Sequence, residues 1–261
     1  MANLIKMDMR RMLHAPMFYI TLIIVSAFNI LLNFALVSVS KLFMSSQAVK
    51  PTTFSDIITT PFFISLLIIL MFASVIAFFY ADISGGFIKN IAGQLPRKSY
   101  LIVSKFIVGS IHNLIFMVAG VLSYLLGCLG LSAMGMITLT DDGNILAAVM
   151  TLLLKWLLSV AIISILLFVS NGIQNKVLAS VIGVIIGTGS LGLAYMGLNT
   201  AIDGIFHSEN FDIGSFMPDT LLGDVNVAAN TAVINALIVS LVCIAVFLTL
   251  TVKVFNSRDV K

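Results

Sequence analysis

Six long apolar runs separated by short polar stretches set the pattern of this chain. They cover residues 17–39, 61–80, 106–130, 145–170, 177–200 and 231–255. Each is near the roughly 20 residues a helix needs to cross the hydrocarbon of a bilayer. Only a helix or a closed barrel satisfies its backbone polar groups there, and runs of this length point to helices. The pattern predicts an all-α membrane protein with six transmembrane helices. Six crossings bring both ends of the chain to the same side.

The charges are sorted to match. The side that holds the termini carries Lys6, Arg10, Arg11, Lys89, Arg97, Lys98, Lys105, Lys176, Lys253, Arg258 and Lys261. The opposite side carries only Lys41 and Lys50. An excess of Lys and Arg marks cytoplasmic loops, so both termini are expected in the cytoplasm. Asp56, Asp141, Asp142, Asp203, Glu209, Asp212, Asp219 and Asp224 fall on the outer side, against Asp8, Asp82 and Asp259 inside. Only 10% of residues are charged and 60% are hydrophobic, so 261 residues with six spans form one membrane domain, residues 1–261. The net charge of +3 sits at helix ends facing lipid headgroups or protein partners, and does not point to nucleic acid. Cys128 and Cys243 lie in the third and sixth runs and read as buried free thiols.

Before the first run, Ile5, Met9, Met12 and Leu13 fall on one helical face, with Lys6, Arg10 and His14 on another. That spacing predicts an N-terminal amphipathic helix at the inner membrane interface, or a basic flank that only orients the first span. The first run is too long for the apolar region of a cleaved signal peptide. Asn29 and Asn33, four residues apart, share a face that should turn toward other helices, as inter-helix contacts or as part of a translocation path. Lys155 in the fourth run is a candidate for the same path. The reading favoured by its neighbour Trp156 is an outer interfacial anchor. Gly187-Thr-Gly-Ser-Leu-Gly192 matches G-x-G-x-x-G, but the strand that a dinucleotide site requires is missing. Close helix packing through Gly183 and Gly187, or local unwinding of the fifth run, is expected instead.

Between the second and third runs, Gly85 and Gly86 interrupt the helix. Phe87, Ile88, Ile91 and Leu95 then recur near helical spacing, opposite Lys89 and Asn90, and Pro96, Arg97 and Lys98 follow. A short amphipathic helix with an apolar stripe is predicted, and that stripe needs lipid or a protein to cover it. The outer stretch 201–230 mixes five acids with large apolar residues and predicts short helices tucked against the outer surface, or a solvated acidic loop that simply stays outside. The sequence has no G-x-x-x-x-G-K-[ST], no H-E-x-x-H and no G-x-S-x-G, and its three histidines lie in separate segments. An enzyme reading has no support, and no metal site is expected.

In layout the whole chain resembles the membrane subunits of ABC-2-type exporters. The features that carry the likeness are the basic N-terminal helix, six runs, and the connection Asp82…Gly85-Gly86-Phe-Ile-Lys89…Pro96-Arg97-Lys98-Ser-Tyr100…Lys105. A very short second inner loop at 171–176 and the outer segment after the fifth run complete it. The resemblance implies that Gly86, Phe87, Ile88, Lys89, Ile91 and Leu95, with Arg97 and Lys98 at the edge, form the coupling helix. That helix would dock on a separate ATP-binding-cassette ATPase, present in two copies. ATP and Mg²⁺ would bind that partner, and no cofactor this chain. A second permease subunit, identical or homologous, would complete the path. Size and the Gly-Gly-x-x-Lys-Asn stretch are similar to bacterial cell-membrane permeases for lantibiotic self-protection, bacitracin-type resistance or phenol-soluble-modulin export. The cargo implied is an amphipathic or antimicrobial-type peptide. The rivals are a self-contained secondary transporter or channel, which would use intramembrane carboxylates that the runs lack, and a non-transporting membrane partner.

Overall fold

Apolar length becomes helix along this chain, though not everywhere straight helix. The computed structural model describes residues 1–43, 50–60, 65–84, 99–173, 175–188, 190–206, 212–230 and 232–257. In chain order the elements are α1 (Ala2–His14), α2 (Pro16–Phe43), β1 (Lys50–Thr53), α3 (Phe54–Thr59), α4 (Ser65–Ser84) and α5 (Ser99–Ala133). Then come β2 (Ile137–Thr140), α6 (Ile145–Ile173), α7 (Lys176–Gly187), α8 (Leu191–Phe206), a 3₁₀ turn (Ile213–Phe216), α9 (Pro218–Asp224) and α10 (Val233–Ser257). The coupling-helix residues Gly86, Phe87, Ile88, Lys89, Ile91, Leu95, Arg97 and Lys98 lie outside the described residues.

Among the described residues, four helices are long and apolar enough to cross a membrane: Pro16–Val39, Ser99–Ala133, Ile145–Ile173 and Val233–Ser257. The chain is a multi-pass helical membrane protein. The second run yields a shorter apolar helix, Ile68–Ala81. The fifth departs from the expected straight crossing: Val177–Gly187 and Leu191–Asp203 meet at a 71° bend. Local chemistry explains the break. The Thr188 hydroxyl donates to Ile185 O at 2.9 Å and accepts from the Ser190 backbone N–H at 3.4 Å, drawing both groups out of the helical ladder. Gly172 lies within α6, and the Asn175 side chain caps α7 by accepting from the N–H groups of Val177 and Leu178.

A second departure is a two-stranded parallel sheet in a chain read as all-α. β1 pairs with β2 from Lys50↔Ile137 to Thr53↔Thr140. Its Thr and Ile residues suit a pleated surface. Thr53 then caps α3 through a reciprocal pair with Asp56. Below it, Ile57 packs with Cys128, Leu131 and Ile137.

The core centres on α6, whose best apolar window is 56% buried, whereas that of α10 is 17% buried. Leu158, Ile162, Ile163, Leu166 and Leu167 of α6 pack with Phe72, Ile76 and Phe79 of α4. The flanking helices turn bare side chains outward, among them Leu31, Leu126 and Ile234, as lipid-facing helices do. α1 is a helix as expected, but its buried stripe is Leu4, Asp8 and Met12, while Leu13 is exposed. It lies against α5, which is 35 residues and therefore about 52 Å long, more than the roughly 30 Å hydrocarbon core requires.

Small residues set how closely the helices approach. A Cβ on Gly187 would stand 3.0 Å from Ile69 Cγ1 and 3.2 Å from Ile69 Cα, so bare backbone of α7 meets α4 there. Gly187→Leu should push the two helices apart at a cost of about 1–3 kcal/mol. The thermal midpoint of the purified chain in detergent should fall. Gly197→Leu, where a Cβ meets nothing within 4 Å, should leave it unchanged.

Candidate functional site

Polar side chains that would be costly in lipid are turned inward, and they mark where the helices join. Asn29 and Asn33 of α2 are 0% and 4% exposed. Asn29 Nδ2 donates to Ser123 Oγ at 3.2 Å and to Gly120 O at 3.4 Å, and Asn33 Nδ2 donates to Tyr124 O at 3.3 Å. Gly127 makes room: a Cβ there would lie 3.1 Å from Asn33 Nδ2. Both amides are thus engaged with α5, as the inter-helix reading expects.

Lys155 is fully buried, at 0% exposed, and not the interfacial anchor favoured from its position. It lies about 15 Å along α6 from Ile145, deep enough for a helix neighbour to cover it. Trp156 also turns inward, with Nε1 donating to Ser110 O of α5 at 3.2 Å. One turn on, Asn113 Nδ2 donates to Ser159 Oγ at 2.5 Å. One turn back, Thr151 Oγ1 accepts from the Val227 N–H at 3.0 Å and ties α6 to the outer segment. These contacts do not bring Lys155 together with the Asn29/Asn33 pair.

A third seam joins α4, α5 and the start of α2. His112 Nε2 and Ser74 Oγ are 3.0 Å apart. The His112 ring stacks on Phe116 at 4.6 Å and meets the edge of Phe18 at 5.2 Å. Toward the α1 end, Ser104 Oγ donates to Asp8 Oδ2 at 2.5 Å, and Arg11 lies 3.9 Å from the same carboxylate. Lys105 Nζ donates to Phe79 O at 3.3 Å. Sequence reasoning passed over Asp8, His112 and Asn113. The signals were present: an acid spaced four from Leu4 and from Met12, and two polar residues in tandem inside an apolar run.

The acidic end of the bundle is held by carboxylates. Asp142 accepts from the Ser55 hydroxyl and so links α3 to the start of α6. That hydrogen bond holds its carboxyl below the usual range, against a small opposing effect of desolvation. Asp212 accepts from Asn199 Nδ2 at 2.7 Å and caps the 3₁₀ turn. Asp219 of α9 accepts from the Tyr195 hydroxyl at 3.1 Å. Burial raises the Asp219 carboxyl, only partly offset by its backbone N–H and by Tyr195. Short helices here agree with the expectation for the outer stretch.

Compared with known proteins, the chain matches no protein-family model and no curated sequence. Its functional reading stands on these residues and their geometry.

Asn29→Ala should lower stability by roughly 1–2 kcal/mol, through lost inter-helix hydrogen bonds and the space left behind. Its thermal midpoint in detergent should drop without loss of helical signal. Asp219→Asn tests the outer segment. A carboxyl raised by folding weakens the fold progressively as pH climbs from the unfolded value of about 3.9 through its folded pKa, and the penalty vanishes below the unfolded value. The Asn variant should therefore be the more stable at pH 7.5, and the gap should close as the pH approaches 4 in parallel melts.

Proposed function

We propose that the chain is the membrane-spanning permease subunit of an ATP-binding-cassette exporter. It crosses the cell membrane six times, with α4 and the bent α7–α8 pair supplying the second and fifth crossings and both termini in the cytoplasm. Two copies of a separate ATPase drive it, and a second permease subunit completes the path. The segment Gly86 to Leu95 acts as the coupling helix, with Arg97 and Lys98 at its edge. ATP-driven closure of the partner would tilt the spans and open a route for amphipathic or antimicrobial-type peptides.

What carries this reading is the contrast between interior and flank. The four long helices contain no Asp or Glu; their buried contacts are made by Asn, Ser, Thr, Trp and His112 side chains, with Lys155 and Lys105 the buried lysines. Ion-coupled transporters place ionisable groups in the membrane to couple the ion, most often carboxylates. An interior whose long helices carry no carboxylate favours energy delivered from outside the bundle, at the basic end where the sequence carries an apolar stripe.

A gentle-detergent pull-down of the tagged chain from its native host is expected to recover a P-loop ATPase in stoichiometric amount. The chain recovered alone, where a known complex survives, overturns the proposal. Phe87→Asp, Ile88→Asp and Ile91→Asp should each uncouple export from ATP hydrolysis while the chain still inserts. Complete burial of Lys155 favours a second reading, a self-contained transporter using that amine. Ion-gradient-driven transport by the chain alone in proteoliposomes, lost in Lys155→Met, would establish it.

A further inference from the structure

Where α1 turns into α2, a cavity of about 740 Å³ opens between α1, α2, α4, α5 and α7. Cavities of about 300–1,000 Å³ accommodate a ligand of drug size. Its wall is graded. Arg11 and His14 stand at the α1 end, Met12, Phe18, Ala77 and Phe78 supply an apolar surface, and Ser74 and His112 lie further in. His112 is 1% exposed, yet its Nδ1 has no hydrogen-bond partner among the described residues. Its Nε2 is engaged by Ser74. A buried polar atom left in this way is uncommon in folded proteins and asks for an occupant. Arg11 reaches this wall from α1, 3.9 Å from the Asp8 carboxylate. His14 uses Nδ1 on Arg10 O at 2.7 Å and keeps Nε2 for other partners.

We propose that this cavity holds one anionic acyl lipid, with its acidic head against Arg11 and His14, its acyl linkage opposite His112 and Ser74, and its chain against Phe18 and Ala77. Charge selects the head: a guanidinium fork with an imidazole beside it matches phosphate or carboxylate. Depth selects the linkage. Ala81 and Ser74, both on the wall, are seven residues apart on α4, which is about 10 Å of helix. That is close to the roughly 5–8 Å headgroup layer on each side of a bilayer, below which the acyl linkages begin. With the Ser74 hydroxyl donating to Nε2, the imidazole proton sits on Nδ1, where an ester carbonyl can accept it. A lipid so placed wedges the α1–α2 elbow against α4. The site does not depend on the transport reading, because it is built within this chain.

Native mass spectrometry of the full chain in detergent tests it, with equal amounts of phosphatidylglycerol, phosphatidylcholine of the same acyl chains, and ether-linked phosphatidylglycerol. Retention of the ester phosphatidylglycerol at least about tenfold above both others is expected, a difference of about 1.4 kcal/mol. Ala77→Trp, which fills the cavity, should remove the preference. The milder Arg11→Gln/His14→Gln pair should erase headgroup discrimination even if the Trp variant fails to fold. His112→Phe keeps the ring stack on Phe116 and should erase only the preference of ester over ether. Equal retention of phosphatidylglycerol and phosphatidylcholine by the unaltered chain overturns the proposal. So does a preference that survives the Arg11/His14 change, or displacement of the lipid by inorganic phosphate alone.

Discussion

A bilayer offers no water to a buried polar group, and that constraint orders the rest of this molecule. Every amide, hydroxyl or amine within a span either finds a partner, on its own helix or a neighbouring one, or imposes a large cost. Asn29 and Asn33 accordingly fasten α2 to α5, and Asn113, Ser159 and Trp156 fasten α5 to α6. Hydrophobic attraction between helices is weak where lipid is equally apolar, so these few contacts and the small residues beside them set the pairing. Gly109 shows the second device: a Cβ there would lie 3.1 Å from the Phe79 ring, so α5 can approach α4 only because none exists.

The same economy governs the two ends of the bundle. At the basic end, α5 outruns the membrane and gives α1 a surface to lie on. Asp8 is buried there because Ser104 and Arg11 answer its charge. At the acidic end, pieces far apart in the chain are stitched together. β1 joins β2 across some 87 residues, Ser55 bonds Asp142, and the Val227 N–H reaches Thr151. The acidic end is thus a built layer of short elements over α6, and its carboxylates are structural before they are anything else. Asp219, raised by burial, and Asp142, lowered by its hydrogen bond, show that one layer holds acids of opposite pH response.

The proposed roles divide along these ends. A permease needs a firm outer layer, a bundle whose helices can tilt, and a basic flank open to a motor. The bend between α7 and α8 provides a break in an otherwise continuous set of rods. The cavity at the α1–α2 elbow sits where tilting of α2 or α4 would be felt first, which gives a bound lipid leverage on both.

Most helix positions and the membrane class were legible in the chain alone, because length and hydropathy are properties of consecutive residues. That Asn29 and Asn33 share an inward face also followed from spacing. The tertiary structure decided what spacing cannot reach. It buried Lys155, for which the sequence favoured an interfacial anchor, because whether a lysine snorkels depends on which helices surround it. It broke the fifth run at Thr188–Ser190, where side-chain oxygens compete with the backbone more strongly than apolar composition suggests. It paired β1 with β2 and turned Asp8 inward, because both need a partner more than 80 residues away. Local periodicity determines what a segment can become, and only packing against distant segments determines which polar groups find partners.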